Sequence, residues 1–168
     1  DSGVSPIDYF VQKKLNEQQL TPSRQAERLK LIRRVAFDLT GLPPQWEDAE
    51  RFLNDDSANW YATVVDHYLA SGHYGERWGR YWLDVSGYAD SEGKRSADPV
   101  RSHAWRYRDY VIQSLNEDKP YDQFLLEQLA GDELYDFENA DTITVEMMDA
   151  LVATGFLRMA PDGTGSDI

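Results

Sequence analysis

The chain has no cysteine, which excludes disulfides, thiolate metal sites and covalent attachment of a c-type haem through these residues, and leaves the redox compartment open. No apolar run approaches the roughly 18 to 20 residues that a bilayer span requires. The residues from Asp1 onward carry no basic and apolar leader, so a soluble piece, processed or cut from something longer, is expected. A glycine-rich phosphate loop, a nucleophile elbow and a dinucleotide fingerprint are all missing, and GTGSD near the end has no helix after it. His67, His73 and His103 lack the paired helical spacing of a zinc protease. The loop DSEGKRSAD lacks the alternating oxygen-ligand spacing of an EF-hand, and GDELYDFENAD reads as a solvated acidic turn. Cations are scarce as well. Lys and Arg number 17 against 30 Asp and Glu, for a net charge of −13, which repels phosphate backbones and anionic lipid and removes nucleic acid as an expected partner.

What is abundant is aromatic and apolar. Apolar residues make up 41% and aromatics 12% of the 168 positions, with five Trp and ten Tyr. That is too much hydrophobic material for a disordered chain, and the length suits one compact domain over 1–168. Helical signals run from end to end. Ser5, Pro6 and Asp8 in SPID form an N-cap, a first-turn proline and a capping box for a helix to about Gln18. Thr21 and Pro22 repeat that entry before Leu29, Ile32, Val35, Ala36 and Leu39 recur at helical spacing, with Gly41 as the stop. A short helix is expected through Trp46, Ala49, Phe52 and Leu53, and a fourth from Trp60 to near Gly72. Two long helices follow, roughly Tyr74 to Ala89 and Ser102 to Asn116, on either side of the polar loop DSEGKRSADPVR. The tail reads as helices over Tyr121 to Leu129 and Val145 to Leu157, then the loop APDGTGSD. With no repeat, heptad run or strand pattern, the expected fold is all-α, with about seven to eight helices and no significant sheet.

The segment from Tyr74 to Tyr110 is the densest in chemistry. At about 100° per residue, Trp78, Trp82, Val85 and Ala89 form one stripe, assigned to the core. Arg77, Tyr81, Asp84 and Tyr88 form a polar-tipped second stripe beside it. Gly79 and Ser86 lie on another side, where small side chains let a neighbouring backbone approach. In the partner helix Ala104, Trp105, Val111, Ile112 and Leu115 make an apolar face from which Arg108 projects. An arginine there needs a carboxylate in a planar pair, and Asp84 is the expected partner, joining two helices by a structural ion pair. His103 opens the second long helix beside Trp105 and Arg106, after a loop able to close over a ligand. The ligand-binding candidates are thus Arg77, Tyr81, Asp84, Tyr88, Asp90, His103 and Arg106, expected to converge on one open pocket with aromatic faces available to sugar rings. Asp84 with Asp90 or Glu92 also permits acid and base work, although carboxylates are too numerous for that to single them out. No metal site is expected.

The strings LIRRVAFDLTGLPP, HYLASGHYGERWGRYWLDVSGYADSEG, HAWRYRDYVIQSLNEDKPYDQFLLEQLAGDEL and LVATGFLR together resemble the planctomycete cytochrome-associated family, domain of unknown function 1549, over nearly the whole chain from SPIDYF to GFLR. The resemblance implies a part of a large exported bacterial protein, hence an extracytoplasmic setting, with a cytochrome c-like domain and a further domain as neighbours. The family pattern continues past GFLR into a Cys-x-x-Cys-His element, so c-type haem is implied in neighbouring or downstream parts and falls on no residue present here. Association of the family with polysaccharide-degrading bacteria points toward glycans. Three functions are carried forward: a helical domain of an exported, haem-associated protein that binds or acts on extracellular carbohydrate in a redox setting; a scaffold docking the neighbouring domains; and a carboxylate-dependent glycoside hydrolase.

Overall fold

A computed structural model describes residues 5–92 and 98–159. The middle of the DSEGKRSADPVR loop, 93–97, and the APDGTGSD tail lie outside the described residues. Eight α-helices and a closing 3-10 turn make up the described chain: α1 Pro6–Glu17, α2 Arg28–Thr40, α3 Trp46–Leu53, α4 Trp60–Leu69, α5 Gly72–Ser86, α6 Ala104–Asn116, α7 Tyr121–Ala130, α8 Val145–Ala153, and the turn Thr154–Arg158. Among the described residues the only extended pairing is an isolated antiparallel bridge between Ser91 and Val100. The all-α class and the helix number agree with the sequence pattern.

Entry to α1 follows its sequence signal, with the Ser5 hydroxyl accepting from the Asp8 amide. The helix nevertheless buries none of its residues, and Ile7 and Phe10 are 75% and 68% exposed. The second helix starts at Arg28 instead of Thr21. Residues 21–25 are all exposed and offer no apolar periodicity to dock, so a favourable cap alone does not make a helix there. Arg28 also has work outside the helix, donating to the carbonyls of Leu53 and Asp55 and lying over the Trp60 ring.

Two apolar cores result. Ile32, Val35 and Ala36 of α2 pack with Phe52 of α3 and with Val64 and Tyr68 of α4. Tyr107, Tyr110 and Val111 of α6 pack with Phe124 of α7, Ala153 of α8 and Met159, with Trp82, Leu83 and Tyr88 against them. Each fully buried aliphatic or Phe side chain contributes about 1.5–3 kcal/mol.

The helix α5 links the two cores, packing on α2 and, most extensively, on α6. It does so with its small side: Gly75, Gly79 and Ser86 are its buried residues, with Trp82 half-buried among them. This corrects the expected Trp78, Trp82, Val85, Ala89 stripe. Val85 is 79% exposed and Trp78 41% exposed, while Gly87, left-handed at φ 69°, ends the helix before Ala89. The α6 face differs in the same way, burying Ala104, Tyr107, Tyr110, Val111 and Ser114 and leaving Trp105 exposed. Tyr107 and Tyr110 go inside because their hydroxyls are matched. The Trp82 Nε1 donates to the Tyr107 hydroxyl and to Gln128 Oε1, and Tyr107 donates to the same Gln128 oxygen at 2.6 Å.

The interior ion pair sits elsewhere than expected. Lys119 Nζ lies 2.6 Å from Glu127 Oε2, which also accepts from the Tyr110 hydroxyl, while Gln123 donates to Oε1. Burial alone would raise the Glu127 pKa, but these donors outweigh it and hold the carboxyl below its usual range.

The two α5 glycines should respond oppositely to a methyl group. A Cβ on Gly75 would overlap the Ile112 carbonyl oxygen, whereas on Gly79 it would meet Ile112, Val111 and Leu115 side chains at 3.4–3.7 Å. Chemical denaturation should therefore show Gly75→Ala losing about 2–3 kcal/mol through overpacking, and Gly79→Ala unchanged or up to about 1 kcal/mol more stable from helix propensity.

Candidate functional site: a cationic cleft at the start of the sixth helix

The Ser91–Val100 bridge, reinforced by the Glu92 amide on the Pro99 carbonyl and the Arg101 amide on the Asp90 carbonyl, ties the two ends of the loop together. It delivers the chain to α6 through Arg101, Ser102 and His103. Across from this entry lie the end of α8 and the 3-10 turn. Between them is a cleft of about 530 Å³ whose lining includes Glu92, Arg101, His103, Arg106, Tyr107, Leu151, Val152, Gly155 and Arg158. Gly155 allows the turn to close on α6: a Cβ there would stand 3.2 Å from Tyr107 Cβ.

The electrostatics of the cleft run against those of the chain. Three guanidinium groups and an imidazole line it with one carboxylate, in a protein of net charge −13. Arg101 donates to the Met159 carbonyl, and the Arg106 guanidinium lies 5.3 Å from the Trp105 ring centroid. Among the described residues no carboxylate stands within ion-pair distance of Arg101, Arg106 or Arg158. Such a set can take a carboxylate, sulfate or phosphate in forked hydrogen bonds. Among the described residues no cluster of three His, Asp or Glu is placed to hold a metal.

The seven candidates read from sequence divide into separate groups instead of converging on one pocket. His103 and Arg106 line the cleft. Arg77 lies against Gly41, its guanidinium 5.4 Å from the Tyr81 ring centroid and its Nε buried without a partner. Asp84 points to solvent and faces Arg80 at 3.9 Å, both 70% exposed. Tyr88 follows the helix, packs on the second core and donates to Asp90 at 2.7 Å. The expected Arg108–Asp84 pair is not made: Arg108 turns to its neighbour Asp109, with Nε and Nη2 both within 3 Å of Oδ1, at the surface. The physical reason is that Arg108 projects from beside the buried Tyr107, Tyr110 and Val111 face, where water and an adjacent carboxylate are both available.

Sequence reasoning missed Arg101 and Arg158. Arg101 closes the DPVR loop and was readable as a neighbour of His103, but Arg158 lies 52 positions beyond Arg106, and only the fold of α8 back onto α6 brings it near.

A model of the family described as PSCyt2, protein of unknown function (DUF1549), matches residues 6–167. No curated protein and no solved structure matches the chain.

Tyr88 offers a readout of this region. Burial first, then the hydrogen bond to Asp90 and the Asp90 charge, push its phenol up to about 12 from the ordinary 10.0. The folded chain thus holds this proton more tightly than the unfolded chain. The contribution to stability is intact below pH 10 and is lost as the pH rises toward about 12. The stability difference between the wild type and Tyr88→Phe, followed by denaturant midpoints, should shift against the wild type across that window and stay constant below it.

Proposed function

The chain belongs to the PSCyt2 family, and on that premise we propose that it is the helical ligand-binding part of an exported, haem-associated protein, with an anionic extracellular carbohydrate as the ligand of its cleft. The observation that supports this is the gathering of Arg101, His103, Arg106 and Arg158 around one opening with no ion-pair partner for the arginines among the described residues. Guanidinium groups match the sulfate or carboxylate of an acidic sugar, and the Leu151 and Val152 side of the cleft suits its C–H faces. An exported setting comes from the family resemblance.

Residues present here do not fit a c-type haem, since there is no cysteine to attach it and both ring nitrogens of His67 are within hydrogen-bond distance of Arg51 and Asp48. No step through haem is assigned to this chain. The scaffold reading has one observation in its favour. Ile7, Tyr9, Phe10 and Val11 of α1 are all at least half exposed, an apolar surface suited to a neighbouring domain. The hydrolase reading has one carboxylate at the cleft, Glu92, without a second to pair with it, because neither Asp84 nor Asp90 lines the cleft.

Calorimetric titration of a sulfated galactan oligosaccharide against its desulfated form tests the proposal. The sulfated form should bind, weaken as salt rises, and lose about tenfold or more in affinity with Arg106→Ala combined with Arg158→Ala. Equal binding of the two sugars, or no effect of the double substitution, would contradict it.

A further inference from the structure

Helix α7 is turned inside out. Its buried residues are Phe124, Glu127 and Gln128, while Tyr121, Leu126 and Leu129 are 65%, 50% and 58% exposed. A helix on the surface of a globular protein ordinarily buries its leucines and shows the acid and the amide to water.

The inversion is fixed from inside. Gln128 Oε1 accepts from the Trp82 indole and the Tyr107 hydroxyl, and its side-chain nitrogen donates to the Phe124 carbonyl. Glu127 accepts from Tyr110, Lys119 and Gln123. Phe124 stacks on Tyr110 with the ring planes 2° apart. Rotating α7 to cover its leucines would withdraw all three side chains and strand the Trp82, Tyr107 and Tyr110 donors in the interior. The leucines therefore stay outward.

The outward side is apolar in its middle and acidic around it. Asp122, Leu126 and Leu129 share it at helical spacing, and Asp132 and Glu133 follow the helix end, both exposed. Leu134 and Tyr135 in the next turn are exposed, as are Val145 and Met148 of α8, which packs on α7. Between Lys119 and Arg158 the chain has nine Asp and Glu and no Lys, Arg or His. Glu127 apart, none of the nine has an ion-pair partner among the described residues. The local field is felt by Asp149: burial raises its pKa, Lys119 opposes this, and Glu117, Glu127 and Glu146 add to it.

These features select the occupant. An isologous contact with a second copy would set this face against itself, carboxylate to carboxylate with no cation to answer them. An anionic lipid surface would be repelled. A helix with leucine-type residues along one side and Lys or Arg beside them matches both the apolar middle and the acidic surround.

We propose that the outward face of α7, with the turn after it, is a docking surface for a cationic amphipathic helix of a partner protein. Leu126 and Leu129 pack against the apolar side of that helix, and Asp122, Asp132 and Glu133 face its lysines or arginines. Neither leucine lines the arginine cleft, so the surface stands independently of the ligand assigned there.

Titration of the full chain into a labelled amphipathic helix of leucine and lysine, followed by fluorescence anisotropy, tests the surface. Two control peptides accompany it: a scrambled one of the same composition, and a helix with glutamate in place of lysine. The leucine-lysine helix should bind, less tightly as salt rises, and both controls should bind at least about tenfold more weakly. Leu126→Gln combined with Leu129→Gln should reduce its affinity by about tenfold without lowering the melting temperature, since both side chains already face water. Asp122→Asn combined with Glu133→Gln, which alters surface charge alone, should also weaken it. Phe10→Gln, on the exposed apolar side of α1, should leave the affinity unchanged. The proposal is overturned if either control peptide binds as tightly, if either double variant binds as the wild type does, or if Phe10→Gln weakens binding as much. Self-association of the wild type that the leucine double variant abolishes, read by sedimentation, would overturn it as well, by making a second copy the occupant.

Discussion

The close approach of α5 to α6 is the constraint on which the rest of the structure depends. Gly75 and Gly79 leave no side chain in the contact, so the Ile112 carbonyl and the Val111, Ile112 and Leu115 side chains come up to the α5 backbone. Asn116 secures the end of the contact, accepting from the Gly75 amide and donating to the Gly72 carbonyl. With the two axes held this near, Trp82 meets Tyr107 and Gln128 in a shared hydrogen-bond cluster that brings in α7. The cost of glycine in a helix, about 1 kcal/mol each relative to Ala, is offset by that packing. The α6 start, with His103 and Arg106, is positioned by the same contact, and so is the ground on which α8 and the 3-10 turn complete the cleft.

Much of this was legible in the sequence, and the exceptions have particular causes. Helix existence followed apolar spacing, as Ile32, Val35 and Ala36 on α2 show. Gly79 and Ser86 were recognisable as a side for close approach. Hydrophobicity misassigned the main face, because it ranks Trp78 and Val85 above glycine, whereas burial in α5 is set by how near α6 can come. Gly87 carried a stop signal that the longer apolar pattern obscured. Of the seven candidates, His103 and Arg106 line one cleft, whereas Arg77 lies against Gly41, Asp84 faces Arg80 at the surface, and Tyr88 follows the end of the helix at Ser86. The place of Arg158 at the cleft depends on a tertiary contact between distant segments, and no local pattern encodes it.

Charge is distributed with the same economy. A chain of net charge −13 discourages anions generally, yet one cleft gathers three arginines and a histidine. On the N-terminal half Asp48 is paired with Arg51 at 2.9 Å. The one deeply placed pair, Lys119 with Glu127, is surrounded by Tyr110 and Gln123 donors and serves the core between α6 and α7. The buried pair is thus matched on every side, whereas Arg101, Arg106 and Arg158 at the cleft have no ion-pair partner among the described residues.

The central claim is that the arginine cleft receives the acidic group of a sugar. A crystal structure grown with a sulfated galactose disaccharide addresses it most directly. The account predicts the sulfate in contact with Arg106 and Arg158 beside His103, with the α5 and α6 contact unchanged. A sulfate bound elsewhere on the chain, with the cleft empty or closed by its own side chains, would contradict it.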